Sequence, residues 1–105
     1  MRQLKYNQVL KNTVGDPITA FTGTVTSETL YNPALIGFGL QVTGTSVSNV
    51  DVQLSSDGEN WFSADVQAVP ALPLGVDVIN TNFPYARIIL TTCDDITVKY
   101  CVVGD

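Results

Sequence analysis

The chain has 105 residues, 45% of them apolar and only 14% charged, with a net charge of −5 and no histidine. That length suits one domain around a single core, and a charged fraction well under the roughly 25% of an average globular chain leaves much of the surface neutral. The acidic balance excludes the electrostatic footprint of a nucleic-acid binder, no run reaches the roughly 18 apolar residues of a membrane span, and the missing histidine removes the usual general base and the commonest metal ligand.

Fourteen valines and twelve threonines bias the whole chain toward strands, because β-branched side chains fit a pleated sheet better than a helix. At the start, Arg2, Lys5 and Lys11 give residues 1–11 a charge of +3, so residues 12–105, with two basic and ten acidic groups, carry −8. Two readings follow for residues 1–16: an arm that docks on an acidic partner, or a first strand with solvated lysines. The opening MRQLKYNQVL has no apolar core of the signal-peptide kind, so synthesis in the cytoplasm and use without Sec export are expected, with export as part of a larger particle left open.

Turn signals then recur every 8–12 residues or so, the spacing of a sandwich or barrel: VGDP at 14–17, TGT at 22–24, YNP at 31–33, TGT at 43–45, SDG at 56–58, PALPLG at 70–75, NTNFP at 80–84 and CDD at 93–95. Between them lie about eight strands, near 4–10, 17–26, 35–43, 47–55, 60–67, 76–80, 84–92 and 96–103. In VDVQLS, Val50, Val52 and Leu54 alternate with Asp51, Gln53 and Ser55, the period of a half-buried strand. ITVKYCV alternates likewise, whereas YARIILTT is apolar on both faces at Ile88, Ile89 and Leu90, as in a strand covered on both sides. The expectation is an all-β chain: one antiparallel β-sandwich, jelly-roll-like, over residues 1–105.

Within SSDGENWF, Asp57 and Gly58 form the strongest short hairpin signal, since both accept the positive φ of a tight β-turn. A two-residue turn there places Leu54 opposite Trp61. Trp61 then either packs on the sandwich or offers a platform on which a sugar ring stacks; Phe62, pointing the other way, is a candidate contact with another chain. Arg87, the only basic residue between Lys11 and Lys99, is expected to pair with Asp51, Asp65 or Asp77 across the sheet. A second two-residue turn at Asp94 and Asp95 sets Cys93 and Cys101 about five residues, roughly 16 Å, apart along a ladder. Two free thiols are expected, because a disulfide needs Cα atoms within about 7 Å.

Reaction chemistry is hard to assemble from these residues. The serines have no GxSxG elbow, SxxK pairing or histidine to activate them. Asp94 and Asp95 lack the further oxygens of a calcium loop, and no helix follows Gly37 and Gly39 to cap a phosphate. No enzyme activity, cofactor or metal is expected.

Two family resemblances refine this reading. VQLSSDGENW followed about 25 residues later by FPYARIIL resembles the later strands of discoidin, or galactose-binding-like, sandwiches, although this chain is about a third shorter and lacks their terminal cysteine pair. Over residues 20–103 the chain is also similar to short virion proteins of tailed phages, through TGTVTSETL, LIGFGLQVTGT, VDVQLSSDGENW, PYARIIL and ITVKYCVV. In both, Asp57, Gly58, Trp61 and Arg87 carry over as structural positions of the hairpin. The phage resemblance implies a capsid decoration (cement) protein, or a small head or tail fibre domain, with the major capsid protein or other virion subunits as partner. A homotrimer on the capsid exterior is expected, with Arg2, Lys5 and Lys11 facing the shell or a neighbouring subunit. The other resemblance implies a carbohydrate-binding module whose exposed aromatics would be Trp61, Tyr31 or Tyr85.

Overall fold

The computed structural model describes residues 3–4, 8–31, 37–79 and 83–104. The strands among these residues are β1 (Gln3–Leu4), β2 (Gln8–Val9), β3 (Phe21–Thr26), β4 (Leu30–Tyr31), β5 (Gly37–Thr43), β6 (Ser46–Ser55), β7 (Phe62–Ala68), β8 (Leu74–Ile79) and β9 (Tyr85–Gly104). All pairings are antiparallel. One layer runs β7-β6-β9 with β3 and β4 on the far side of β9; the other runs β8-β5-β9 with β1 and β2 beyond. The sandwich is therefore as expected, but its hinge is not.

Residues 84–92 and 96–103, expected as a hairpin, form one strand of 20 residues that serves both layers. Its buried positions are Ala86, Ile88 and Leu90, then Cys93, then Ile96 and Val98. A strand alternates with period two, so each three-residue step requires one inserted residue. Thr92 (φ 52°) and Asp95 (φ 54°) are those insertions, and β3 follows them with two register shifts as Phe21, Gly23 and Val25 face Ile96, Cys93 and Leu90. A β-bulge bends and twists its strand while orphaning a ladder group. Here threonines of β3 replace the lost partners: Thr92 N donates to Thr24 Oγ1 at 3.1 Å and Asp95 N to Thr22 Oγ1 at 3.3 Å. At the same bend a side chain on Gly44 (φ 140°) would collide with the Asp95 carbonyl, so only glycine lets the β5–β6 connection pass.

The core lies between the layers. Leu10, Val42, Val50, Val52, Ile88, Leu90, Ile96 and Val98 are fully buried and Ile18 nearly so. Of the predicted first strand, 4–10, the described residues Leu4, Gln8 and Val9 pair with β9, and Leu10 beyond them donates its N–H to Val98 O at 2.9 Å. Residues 1–16 are thus no free arm over their described part. Ile18 N donates to Leu10 O, Val98 N to Ile18 O and Glu28 N to Lys11 O, and bridges join Lys11 to Pro17 and Asn12 to Ser27. This segment closes one side of the sandwich. The other side ends in β7 and β8, which among the described residues each pair on one edge only.

Candidate functional site

The hairpin between β6 and β7 does not turn on two residues. Asp57 Oδ1 accepts hydrogen bonds from Ser55 Oγ (2.9 Å), Glu59 N (2.8 Å) and Asn60 N (2.8 Å), and Oδ2 accepts from Asn60 Nδ2 (2.8 Å). The buried Ser55 hydroxyl in turn accepts from Asp57 N and Gly58 N. A carboxylate that gathers four donors outcompetes the minimal turn, and the loop widens. The amides of Asn60 and Glu59, then the Asn60 and Ser55 side chains, hold the Asp57 carboxyl well below the usual carboxylate range. Gly58 (φ 78°) lies under the Tyr85 ring, with ordinary van der Waals room for a Cβ.

The wider loop shifts the register, so Leu54 faces Phe62 and not Trp61. Trp61 lies just before β7 with the Arg87 guanidinium carbon 4.3 Å from its ring centroid, a cation–π contact. Arg87 finds no direct carboxylate partner among Asp51, Asp65 and Asp77, contrary to expectation. Its Nε donates to Gln53 Oε1 at 2.7 Å, and Gln53 Nε2 donates to Asp51 Oδ2 at 3.0 Å. Asp65 is engaged by Gln67 Nε2 at 3.0 Å, and Asp77 sits on β8 of the other layer, opposite Gly39. The register explains the relay: Gln53 is directly across from Arg87, while Asp51 is one pleat further, across from Ile89. Asp51 Oδ1 is buried and has no hydrogen-bond partner among the described residues.

Because Val52, Leu54, Ala86 and Ile88 point inward, their alternates Asp51, Gln53, Tyr85, Arg87 and Ile89 line the outer face of this layer. Tyr31 pairs with Tyr85 at a ring separation of 5.0 Å and an angle of 34°, and is 58% exposed. The structure thus brings together Trp61, Arg87, Tyr85 and Tyr31, four residues singled out in the sequence, and adds Gln53, which was not. Gln53 was missed because its role depends on a register that a motif scan does not supply. Its only signal is the alternation that places it beside Asp51.

Phe62 turns the opposite way and stays 43% exposed, edge-on to Phe83 at 4.7 Å and 72°. Lys11 is exposed, with its backbone N–H donating to Glu28 Oε2 at 2.9 Å. Arg2 and Lys5 lie outside the described residues. Both cysteines are free. They sit eight residues apart on one strand and not on a hairpin, Cys93 opposite Val47 and Cys101 opposite Gly39. Burial pushes the Cys93 thiol pKa up.

Between the layers a cavity of about 10 Å³ is lined by Leu10, Leu30, Phe38, Leu40, Val52, Ala86, Arg87 and Ile88, room for about one water molecule. Among the described residues no group of three or more Cys, Asp or Glu side chains is placed to hold a metal ion, and no helix is long and apolar enough to cross a membrane.

No protein-family model matches the sequence, and no curated protein matches it significantly. Solved structures match its fold. SPBc2 prophage-derived protein YomS is 9% identical and superposes with a TM-score of 0.69, over 99% of this chain and 94% of that one. The xylan-binding module CBM86 from the gut symbiont Roseburia intestinalis is 13% identical, with a TM-score of 0.55 over 99% and 95% of the two chains. A variant of the family 29 carbohydrate-binding module CBM29-2 is 11% identical, with a TM-score of 0.54 over 99% and 87%. At these identities the likeness establishes the fold, a β-sandwich shared by a prophage protein and by carbohydrate-binding modules.

Proposed function

We propose that this chain is a non-catalytic structural subunit of a phage particle, a capsid decoration protein that associates with copies of itself and with the capsid exterior. The observation that carries this reading is the distribution of exposed apolar side chains. Val66 (54% exposed) and Val69 (77%) lie on or just beyond β7, a strand with one unpaired edge among the described residues, and Phe62 (43%) at its start is exposed on the opposite face. Residues 62–76 around them contain a single charge, Asp65. Such a surface is buried between subunits at little desolvation cost. Agreement in fold with a prophage-derived protein over nearly the whole of both chains supports the phage setting. Immunoelectron microscopy of the particles encoded with this gene tests it. Label over the head supports decoration, label confined to the tail moves the protein to a fibre, and particles without label overturn the reading.

A second reading, glycan binding, is favoured by the outer-face row of Trp61, Arg87, Tyr85 and Tyr31 with Gln53 beside it. Aromatic rings stack on the apolar faces of sugars while amide and guanidinium groups fix hydroxyls. The fold shared with a xylan-binding module supports it. Trp61 is the only tryptophan, so intrinsic fluorescence titrated with xylohexaose and cellohexaose reports on this face directly. Saturable change supports the reading, and none on either oligosaccharide or on a glycan array removes it.

A further inference from the structure

The free edge of β7 has a pattern of its own. Val69 N donates to Ser48 O at 2.9 Å, and the β6–β7 register continues Asn49–Ala68, Val50–Gln67, Asp51–Val66 and Val52–Asp65. In an antiparallel ladder, residues alternate between aiming both backbone groups at the neighbour and aiming both away. Val69, Gln67 and Asp65 therefore serve β6, while Val66 and Ala68 turn N–H and C=O toward the open edge. Edges of this kind attract another strand unless lysine, proline or an inward charge blunts them. Phe62–Ala68 contains no lysine or proline. Its one charge, Asp65, does point to the inward face with Val52, the one blunting device this strand carries, but Gln67 Nε2 engages that carboxylate at 3.0 Å and the backbone groups of Val66 and Ala68 stay open at the edge.

We propose that β7 is a two-fold interface, in which two copies of this chain pair antiparallel about Val66 and join their layers into one continuous sheet. The occupant is specified by the sequence around that point, Ala64-Asp65-Val66-Gln67-Ala68. Rotated about Val66, the segment sets Val66 against Val66, Ala64 against Ala68, and Asp65 against Gln67 of the second copy. Each carboxylate then meets an amide donor and no two acids face each other, which matters in a chain of net charge −5. The two Val66 residues exchange both N–H···O bonds across the axis and cover each other's exposed side chains. A two-fold contact is isologous and closes at two subunits. The bulge at Ala64, where the register steps from Val52–Asp65 to Gln53–Ser63, limits the length of the ladder, so the dimer dissociates on dilution.

This inference rests on the self-association in the reading above and narrows it to one strand. The test is the Val66→Pro variant. Proline suits an edge position whose N–H faces solvent, so the substitution removes the edge donor without cutting the β6 ladder; Val66→Lys is the companion should the proline variant fold poorly. Sedimentation equilibrium over a wide concentration range is expected to move the wild type from the 11.3 kDa chain mass to twice that value. Both variants are expected to stay at the chain mass with unchanged far-UV circular dichroism. A wild type that stays at the chain mass overturns the interface. So does a threefold mass, the trimer expected from the sequence, or association that both variants retain; these two results leave self-association by another surface, and particle labelling continues to test the virion reading.

Discussion

Where residues 10–18 cross from one layer to the other, the turn tip at Val14 is 78% exposed but both flanks are tied into the core; along the outer edge of β7, backbone groups and two valines are left to solvent. On the first side Leu10 and Ile18 are buried to 0% and 1% exposure and interlock with Val98 through three backbone hydrogen bonds. On the second, Val66 and Val69 are more than half exposed. The two sides are built from the same residue types, and the difference is in pairing. A sandwich has to close somewhere to be stable, and the side that is not needed for closure is the one on which the proposed pairing is drawn.

The largest expected effect breaks the closed side. Leu10→Ala removes a fully buried side chain and is expected to cost about 2–5 kcal/mol, a large part of the ~5–15 kcal/mol available to a domain. Urea denaturation followed by Trp61 fluorescence measures it. A loss below about 1 kcal/mol would show that surface substitution rules apply there and that residues 10–18 are an appendage after all. For the same reason the shell contact expected at Arg2, Lys5 and Lys11 is better probed by charge reversal than by truncation, because deletion of the segment takes Leu10 and β2 with it.

Next in size is the outer-face relay, which ties the β6–β7 loop to β9. Arg87→Met keeps most of the apolar stem but removes the contact with Trp61, worth roughly 0.5–1 kcal/mol at an exposed site, and a charge-assisted hydrogen bond to Gln53, worth about 1.5–3 kcal/mol. A total loss of about 2–4 kcal/mol is expected, with a change in Trp61 emission. A stability loss without a change in emission would mean that Arg87 acts through Gln53 alone and that the tryptophan is held by other contacts.

How much of this was legible beforehand depends on how far apart the deciding residues lie. Alternation in VDVQLS and ITVKYCV is local, and it placed Val50, Val52, Leu54, Ile96 and Val98 inward correctly, but it set Ser55 on the outward face, whereas Ser55 is fully buried because its hydroxyl serves the Asp57 turn. The CDD segment is also local, but two acids after TT are as good for a pair of bulges as for a hairpin. The choice is made by Thr22 and Thr24, whose hydroxyls take up the amides of Asp95 and Thr92 from about 70 residues away in sequence. At Asp57-Gly58 the deciding residues were adjacent. Ser55 and Asn60 supply extra donors that a two-residue rule ignores, and the one-pair shift they cause moved Phe62 into the place assigned to Trp61. The Arg87 relay failed for a third reason: a search for opposite charge overlooks an amide, yet Gln53 accepts from the cation and donates to the anion at once.

A smaller effect separates the two ends of the strand that Trp61 precedes. The Asp57 carboxyl is held below its ordinary pKa of about 3.9 by the amides of Asn60 and Glu59 and the Asn60 and Ser55 side chains. A group whose folded-state pKa is lower than its unfolded value stabilises the fold above the unfolded pKa and loses that contribution as pH falls toward the folded one. The loop is therefore expected to hold through neutral and mildly acidic conditions and to loosen only below about pH 4. Asp57→Asn, with one acceptor oxygen in place of two, is expected to melt at a lower temperature than wild type at pH 7, with the gap closing below pH 4. A gap that persists unchanged in acid would assign the effect to geometry and not to charge.

The smallest effect is on the open side, and it is the sharpest test of the contrast. Val66→Thr keeps the β-branched shape and the strand backbone while replacing a methyl with a hydroxyl at a position 54% exposed. In an isolated chain this is a surface substitution, expected to change stability by no more than about 0.5 kcal/mol in either direction. If β7 is covered by a second copy, the same substitution places a hydroxyl in a contact between two Val66 side chains, and the cost appears only where dimers are populated. Binding to the folded state alone raises apparent stability in proportion to the logarithm of partner concentration. Melting the two proteins at high and at low concentration separates these cases: equal Tm values at low concentration and a lower Tm for the variant at high concentration locate the difference in the pairing. A deficit that is the same at both concentrations would place Val66 against something within its own chain, and the open side would then be as finished as the closed one.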